Sequence, residues 1–230
     1  MAPISIIVPA LDEAEGIERT LTALQALRAR GAEVIVVDGG SRDATKALAA
    51  PLVDSVLVAP RGRASQMNAG AAASGAETLL FLHADTRLPD CALEAIEGAL
   101  ADPDCAWGRF DVRIDGRGAL LGVVAAMMNA RSRLSGIATG DQAIFVRRAA
   151  FEAAGGYPGI PLMEDVALSK ALKRVSRPAC LRERVTTSGR RWERHGTLAT
   201  IALMWRLRLA YALGADPRQL ARRYDEHAPS

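Results

Sequence analysis

The sequence predicts an α/β fold in which a mostly parallel central sheet is flanked by helices. Two observations indicate this class. Short apolar runs alternate with helix-like segments four times within the first hundred residues, and the runs are almost free of polar residues. This alternation is typical of βαβ units, and such runs are typical of parallel strands covered on both faces. Acidic residues also follow three of the strands, and ligands of open α/β sheets bind at that edge.

The first 103 residues hold the regular part of this pattern. Strands are predicted at 5–8, 34–37, 56–58 and 78–82. Four helices are predicted in this part of the chain. The first begins at Ile17 and is ended by Gly31, and the second is short and follows a cap at Asp43. The third covers 64–74, and the fourth runs from Asp90 to Leu100. The strand at 78–82 is the most apolar, and it ends abruptly in His83 and Asp85.

The alternation of strands and helices becomes less regular near residue 104. We place there the change from a first half (1–103) to a second half (104–230) of a single domain. Strands are predicted at 107–114 and 143–146, and a turn at 155–158. Helices are predicted at 118–134, 164–174, 197–213 and 217–224.

Composition limits the classes of protein that fit. The net charge of +3 is too small to indicate nucleic-acid binding, although arginines are concentrated after residue 173 and favour an anionic ligand or surface. The three cysteines form no C-x-x-C pair, so we expect no zinc site and a reducing, cytoplasmic location. We expect no signal peptide, and no uncharged apolar stretch reaches the ~18 residues of a membrane span.

The predicted helix at 197–213 is apolar around most of its circumference, but Arg206 and Arg208 interrupt it. Two arrangements fit this pattern. The helix packs on the domain with its arginines reaching the surface, or it lies in a membrane interface with Trp205 at headgroup level. We expect the first, because interfacial helices usually have a more uniform polar face. The second would place the protein peripherally at the inner face of the membrane.

Acidic residues stand at the ends of three predicted parallel strands, as Asp12-Glu13, Asp38 and Asp85. Carboxylates at such an edge accept hydrogen bonds from a nucleoside or hold a divalent cation on a diphosphate. The sequence has neither a G-x-G-x-x-G motif after the first strand nor a P-loop, so dinucleotide-binding and P-loop folds are not favoured.

Six short motifs, in order, resemble those of family 2 glycosyltransferases, and the chain is similar throughout to the small cytosolic members with the GT-A nucleotide-diphospho-sugar transferase fold. The motifs are Ile7-Val8-Pro9-Ala10-Leu11-Asp12-Glu13, Val37-Asp38-Gly39-Gly40-Ser41-Arg42-Asp43, Met67-Asn68-Ala69-Gly70, His83-Ala84-Asp85, Gly140-Asp141-Gln142 and Glu164-Asp165-Val166. Three positions depart from the family pattern. His83 stands where the first acid of the D-x-D motif is usual, and Gly39 stands where the second acid of D-D-G-S is usual. Asp12 replaces a common asparagine.

The resemblance implies a role for each matching residue. Nucleotide contacts would come from Pro9, Ala10, Glu13, Asp38, Arg63, Asn68 and Arg191. Asp85, joined by His83, would bind Mn²⁺ or Mg²⁺ on the diphosphate. Asp165 would be the catalytic base, and Asp141 and Glu164 would contact the acceptor.

The implied activity is an inverting, metal-assisted transfer of a sugar from a nucleotide-diphosphate sugar, with uridine as the expected nucleoside, to an acceptor that the sequence does not name. Two alternatives stay open: a nucleotidyltransferase of the same fold and a non-catalytic nucleotide-binding protein. Two residues also have structural interpretations. Asp165 could stabilise a helix N-terminus, and Asn68 could cap a helix or form a turn.

Overall fold

The computed structural model describes residues 3–118 and 120–225, and within these it does not describe the side chains of residues 191, 194, 195 and 225. The described residues form an eight-stranded sheet with apolar clusters on both faces, which confirms the predicted α/β class. The spatial order is β3-β2-β1-β4-β7-β6-β8-β5. The strands are Ile4–Ala10 (β1), Glu33–Asp38 (β2), Ser55–Val58 (β3), Thr78–Phe81 (β4), Thr86–Arg87 (β5), Trp107–Asp115 (β6), Ile144–Arg147 (β7) and Ala179–Ser188 (β8).

Eleven α-helices lie within the described residues. They are Ile17–Ala23 (α1), Gln25–Arg28 (α2), Thr45–Ala49 (α3), Arg63–Ala73 (α4), Ala92–Leu100 (α5), Leu121–Ser135 (α6), Arg148–Ala153 (α7), Glu164–Leu172 (α8), Arg190–His195 (α9), Thr197–Ala212 (α10) and Pro217–Asp225 (α11). Short 3₁₀ turns cover Ala50–Leu52 and Gly140–Gln142. The sequence predicted most of these helices, but it did not predict α7 or α9.

The centre of the sheet is parallel, and it brings three predicted acidic strand ends to one edge. β1 lies between β2 and β4 and runs parallel to both. Every residue of β1 and β4 is buried, as expected for strands covered on both faces. Ala10 at the end of β1 is in register with Asp38 at the end of β2. The segment after β4 carries His83 and Asp85 past the same edge.

Helix α4 packs unusually close to this part of the sheet. A Cβ atom at Gly70 would lie 2.5 Å from Cγ2 of Ile7 and 3.0 Å from Cγ2 of Val37. Because β-branched side chains of two neighbouring strands occupy this space, only glycine fits. The close contact fixes the position of α4, whose first residue is Arg63.

β8 was not predicted, because the middle of the strand consists of charged, exposed residues at 182–184. It pairs in parallel with β6 and antiparallel with β5, where Thr86 is in register with Thr187. The backbone N–H of Ser188 donates to the carbonyl of Asp85 over 3.2 Å. The backbone at Asp85 is therefore held by an element that the sequence pattern did not reveal.

Helix α10 packs on the domain along one side, as expected, and leaves an apolar stripe exposed on the other. Leu207 is 3% exposed and contacts an apolar cluster that includes Leu162 and Leu220. The exposed stripe consists of Leu198, Trp205, Leu209 and Leu213. Arg206 reaches the surface, whereas Arg208 is half-buried and lines a pocket. Among the described residues, no helix combines the length and hydrophobicity needed to cross a bilayer.

Candidate active site

A pocket of about 230 Å³ opens at the edge where β1 and β4 end. Its walls come from the start of α8 and from α6 and α10. Eight of the predicted site residues line it: Pro9, Glu13, Arg63, His83, Asp85, Asp141, Glu164 and Asp165. Ala10, Asp38 and Asn68 do not line it, and the side chain of Arg191 lies outside the described residues. The pocket thus brings together residues from both predicted halves.

One end of the pocket is polar and carries two neighbouring carboxylates. Burial raises the pKa of Glu13, and the nearby charge of Asp85 raises it further, while Arg190 and Arg63 act in the opposite direction. Nη2 of Arg190 lies 3.3 Å from Oε2 of Glu13. Sequence reasoning chose Arg191 for this region and missed Arg190. Arg190 belongs to helix α9, which the sequence did not predict.

Asp38 is fully buried behind this end, and one of its carboxylate oxygens is unused. Oδ2 accepts hydrogen bonds from the backbone N–H groups of Gly40 and Ser41, at 2.9 and 3.0 Å. Oδ1 has no hydrogen-bond partner among the described residues. A buried oxygen without a partner is costly.

Asn68 connects two segments of the protein and does not face the pocket. Its side-chain amide donates to the carbonyl of Tyr157 over 2.8 Å and accepts from the Tyr157 N–H over 2.9 Å. Tyr157 in turn packs edge-on against Phe81 of β4, with ring centroids 4.9 Å apart. Asn68 lies in the middle of α4 and serves neither as a cap nor as a turn residue, and the nucleotide contact expected for it stays a prediction.

His83 contacts the second half of the chain. Its Nδ1 lies 3.3 Å from Oδ1 of Asp141. A Cβ atom at Gly140 would lie 2.2 Å from Nε2 of His83, so the ring fits only against glycine. Within residues 3–118 and 120–225, no three His, Cys, Asp or Glu side chains are grouped closely enough to hold a metal ion.

Glu164 and Asp165 begin helix α8 directly beside the pocket. Asp165 is fixed by two backbone N–H groups: Gly140 donates to Oδ2 over 2.9 Å and Val166 donates to Oδ1 over 2.7 Å. Burial, followed by the adjacent charge of Asp165, raises the pKa of Glu164 to about 7. Two adjacent acids in a partly buried site do not both ionise easily, so Glu164 keeps its proton to a higher pH than an ordinary glutamate does.

Glu164 should therefore make stability depend on pH. Its carboxyl binds more protons in the folded state than in the unfolded state between pH 4.5 and about 7. The free energy of unfolding should then fall as pH rises through this range, by about 3 kcal/mol in total. Urea unfolding at several pH values should show this loss in the native chain and not in Glu164→Gln. The exposed Glu152→Gln is the matched control, and equal pH slopes in all three proteins would contradict the assignment.

The remaining wall of the pocket is mainly apolar and contains two arginines that sequence reasoning did not select. Helices α6 and α10 supply Met127, Met128, Met204 and Trp205, together with Arg131 and Arg208. The pocket therefore has a carboxylate-rich end, an acidic pair at α8, and an apolar wall with two guanidinium groups.

Comparison with known proteins identifies the family. The family model described as glycosyl transferase family 2 matches residues 5–149, which is well over half of the chain. The chain belongs to glycosyl transferase family 2. A comparison with curated proteins gave no match.

Solved structures similar to this family 2 chain confirm the GT-A fold. S. aureus TarS 1–349 in complex with UDP has a TM-score of 0.66 and 18% identity, covering 81% of this chain and 60% of the TarS fragment. M. tuberculosis glucosyl-3-phosphoglycerate synthase, in complex with Mn²⁺, UDP and glucosyl-3-phosphoglycerate, has a TM-score of 0.59 and 18% identity, covering 81% and 71%. The family 2 chain thus spans about three fifths of the TarS fragment.

Proposed function

We propose that the chain is an inverting glycosyltransferase that moves a sugar from a uridine-diphosphate sugar to an acceptor hydroxyl, with Asp165 as general base. One observation carries the proposal: a single pocket joins the Glu13–Asp85 end to the carboxylate of Asp165. The complexes of S. aureus TarS with UDP-GlcNAc and of the M. tuberculosis synthase with UDP support uridine as the nucleoside.

The nucleoside would bind at the edge formed by β1 and β2. A contact of Asp38 with the nucleoside would need a local rearrangement, because its Oδ1 lacks a partner among the described residues but is buried and does not line the pocket. Pro9, adjoining Ala10, lines the pocket from β1. Arg63 and Arg190 approach Glu13 and would face the phosphates, since guanidinium groups suit phosphate oxygens.

The polar end fits a hard divalent cation. Asp85 and Glu13 are close enough for the charge of one to raise the pKa of the other, and carboxylate oxygens suit Mg²⁺ and Mn²⁺. Because no group of three ligating side chains occurs among the described residues, Asp85 would hold the cation with diphosphate oxygens and water completing the coordination. A bound cation would neutralise part of the diphosphate charge. His83 is directed to Asp141 and is a weaker candidate ligand.

The transfer would be a single displacement. The acceptor oxygen forms a bond to the anomeric carbon while the bond from that carbon to the diphosphate oxygen breaks. The acceptor proton passes to Asp165, and the nucleoside diphosphate leaves. The N–H groups of Gly140 and Val166 hold the carboxylate and thereby fix the direction from which it approaches the acceptor. Attack opposite the leaving group inverts the configuration.

Glu164 and Asp141 would position the acceptor. Glu164 retains a proton near neutral pH, so it can donate a hydrogen bond to an acceptor oxygen as well as accept one. Asp141 lies against His83 at the boundary between the donor and acceptor sides. Both side chains line the pocket next to Asp165.

The proposal can be tested by thermal unfolding in the presence of nucleoside diphosphates and their sugars, with and without Mn²⁺ or Mg²⁺. UDP with a cation should raise the melting temperature more than ADP or GDP, because a ligand that binds only the native state stabilises it. Once an acceptor that receives the sugar has been found, NMR of the product should show an inverted anomeric configuration. Pyrophosphate release from a nucleoside triphosphate would instead favour a nucleotidyltransferase, and product with retained configuration would contradict the mechanism.

A further inference from the structure

Arg131 and Arg208 face the same pocket from two different helices, and their buried N–H groups lack partners. Both line the acceptor side of the pocket. Nε and Nη2 of Arg131 and Nε of Arg208 are buried and have no hydrogen-bond partner among the described residues. An arginine cannot relieve this by losing its proton, because the guanidinium group stays charged in proteins. Burying charged donors without acceptors is costly, so an arrangement of this kind suits an anionic ligand.

The two guanidinium groups line one pocket and repel one another electrostatically. Burial lowers the pKa of Arg131 to about 10, and the charge of Arg208 contributes to this shift, while Asp165 counteracts it. Arg109 acts in the same direction as Arg208, but it is already paired with Asp111. Two cations and Asp165 thus line one pocket, and a single carboxylate cannot neutralise both cations.

These charges belong to a different part of the pocket from the donor end. The groups that shift the pKa of Glu13 are Asp85, Arg190 and Arg63, whereas those that shift the pKa of Arg131 are Arg208, Asp165 and Arg109. The acidic pair of α8 interacts with both parts, because Arg63 acts on Glu164 as well as on Glu13, and Asp165 acts on Arg131. The surroundings of the pair are apolar, with Met128 and Met204 in the same wall.

We propose that Arg131 and Arg208 form an anion subsite that binds a phosphate group on the acceptor and so presents its hydroxyl to Asp165. This inference rests on the function proposed above. Two planar forks suit a phosphate, which offers several oxygens and up to two negative charges. The phosphate could belong to a soluble phosphorylated acceptor or to a lipid headgroup, since the apolar rim residues Met127 and Trp205 line the same pocket and are exposed.

The subsite can be tested by equilibrium binding of inorganic phosphate to the protein saturated with UDP and Mn²⁺, so that the donor site is occupied. Phosphate should bind, and Arg131→Gln and Arg208→Gln should each weaken its binding at least ~10-fold, as expected for charge-assisted hydrogen bonds. Arg206→Gln, two residues away on the exposed side of α10, is the matched control and should bind phosphate normally. Arg131→Lys should recover only part of the affinity, because it restores the charge without the fork.

Stability measurements separate this role from a structural one. Without phosphate, the glutamine variants should be at least as stable as the native chain, because each removes a buried, unsatisfied charge. Phosphate binding that is unchanged in Arg131→Gln and Arg208→Gln would overturn the proposal. Displacement of the bound phosphate by UDP would overturn it as well. A failure of UDP itself to bind would count against the proposed function instead, and phosphate binding would still be measurable.

A second arm identifies the source of the phosphate. Glycerol 3-phosphate represents the soluble source, and phosphatidylcholine vesicles with phosphatidic acid represent the lipid source. Arginine-dependent binding of glycerol 3-phosphate supports the subsite with a soluble acceptor. Arginine-dependent sedimentation with phosphatidic acid vesicles, absent for pure phosphatidylcholine, supports it with a lipid-linked acceptor. Binding of neither probe through these arginines would overturn the proposal.

Discussion

Replacing Asp165 by asparagine is expected to lower turnover at least ~10²-fold, within the range typical of general-base catalysis. The asparagine retains the shape of the side chain and one oxygen that can accept the N–H of Gly140, but it cannot take the acceptor proton. Donor affinity should barely change, because the nucleotide region lies at the other end of the pocket. Steady-state kinetics together with calorimetric titration of UDP would separate the two effects.

Asp90→Asn is a matched control for this change, because Asp90 is exposed and does not line the pocket. It should turn over at the native rate. Native turnover in Asp165→Asn as well would show that Asp165 serves only the N-terminus of α8, where an acid is favourable regardless of catalysis. A loss of UDP affinity equal to the loss of turnover would also contradict the role of base.

Replacing Asp85 by alanine is expected to abolish the part of nucleoside-diphosphate binding that depends on a divalent cation. The change removes the carboxylate proposed to hold the cation and leaves the backbone carbonyl that accepts the Ser188 N–H. The fold should therefore persist, which circular dichroism and urea unfolding would verify. Titration of UDP into both proteins, with Mn²⁺ and with a chelator, measures the effect.

The native chain should bind UDP more tightly with Mn²⁺ than with the chelator, whereas Asp85→Ala should show no difference between the two. Asp90→Ala should behave like the native chain. If the native chain and Asp85→Ala bind UDP with equal affinity, both with and without Mn²⁺, the assignment of Asp85 as a metal ligand is wrong.

The parallel half of the fold could be predicted from sequence because its physical signal is local. β1 and β4 are continuous apolar runs whose residues are all buried, and the acids that follow them are conspicuous. Topology alone then brings Glu13, Asp85 and the end of β2 to one edge. The Glu164-Asp165 pair was recognised through its resemblance to a family motif, and its place in the same pocket required the fold.

The missed features depend on contacts between distant segments. β8 has only two buried positions among its ten residues, so its strand character comes from pairing with β6 and β5. Asn68 matched a motif, but its partner Tyr157 lies 89 positions away. Arg131 and Arg208 come from separate helices, and no spacing in the sequence indicates that they face one another.

The pairing of β5 with β8 has a consequence for the order in which the pocket can form. Thr86 meets Thr187, 101 positions later in the chain, and the N–H of Ser188 holds the carbonyl of Asp85. Arg190 reaches Glu13 across 177 positions. Contacts of such sequence separation form slowly, because a long loop must close before they are made. During synthesis on the ribosome, the early strands can pair as soon as they emerge, but the segment that carries Asp85 waits for the chain to pass residue 188. The pocket proposed to bind the donor is therefore a property of the completed fold, and it forms only once the last strand has joined the sheet.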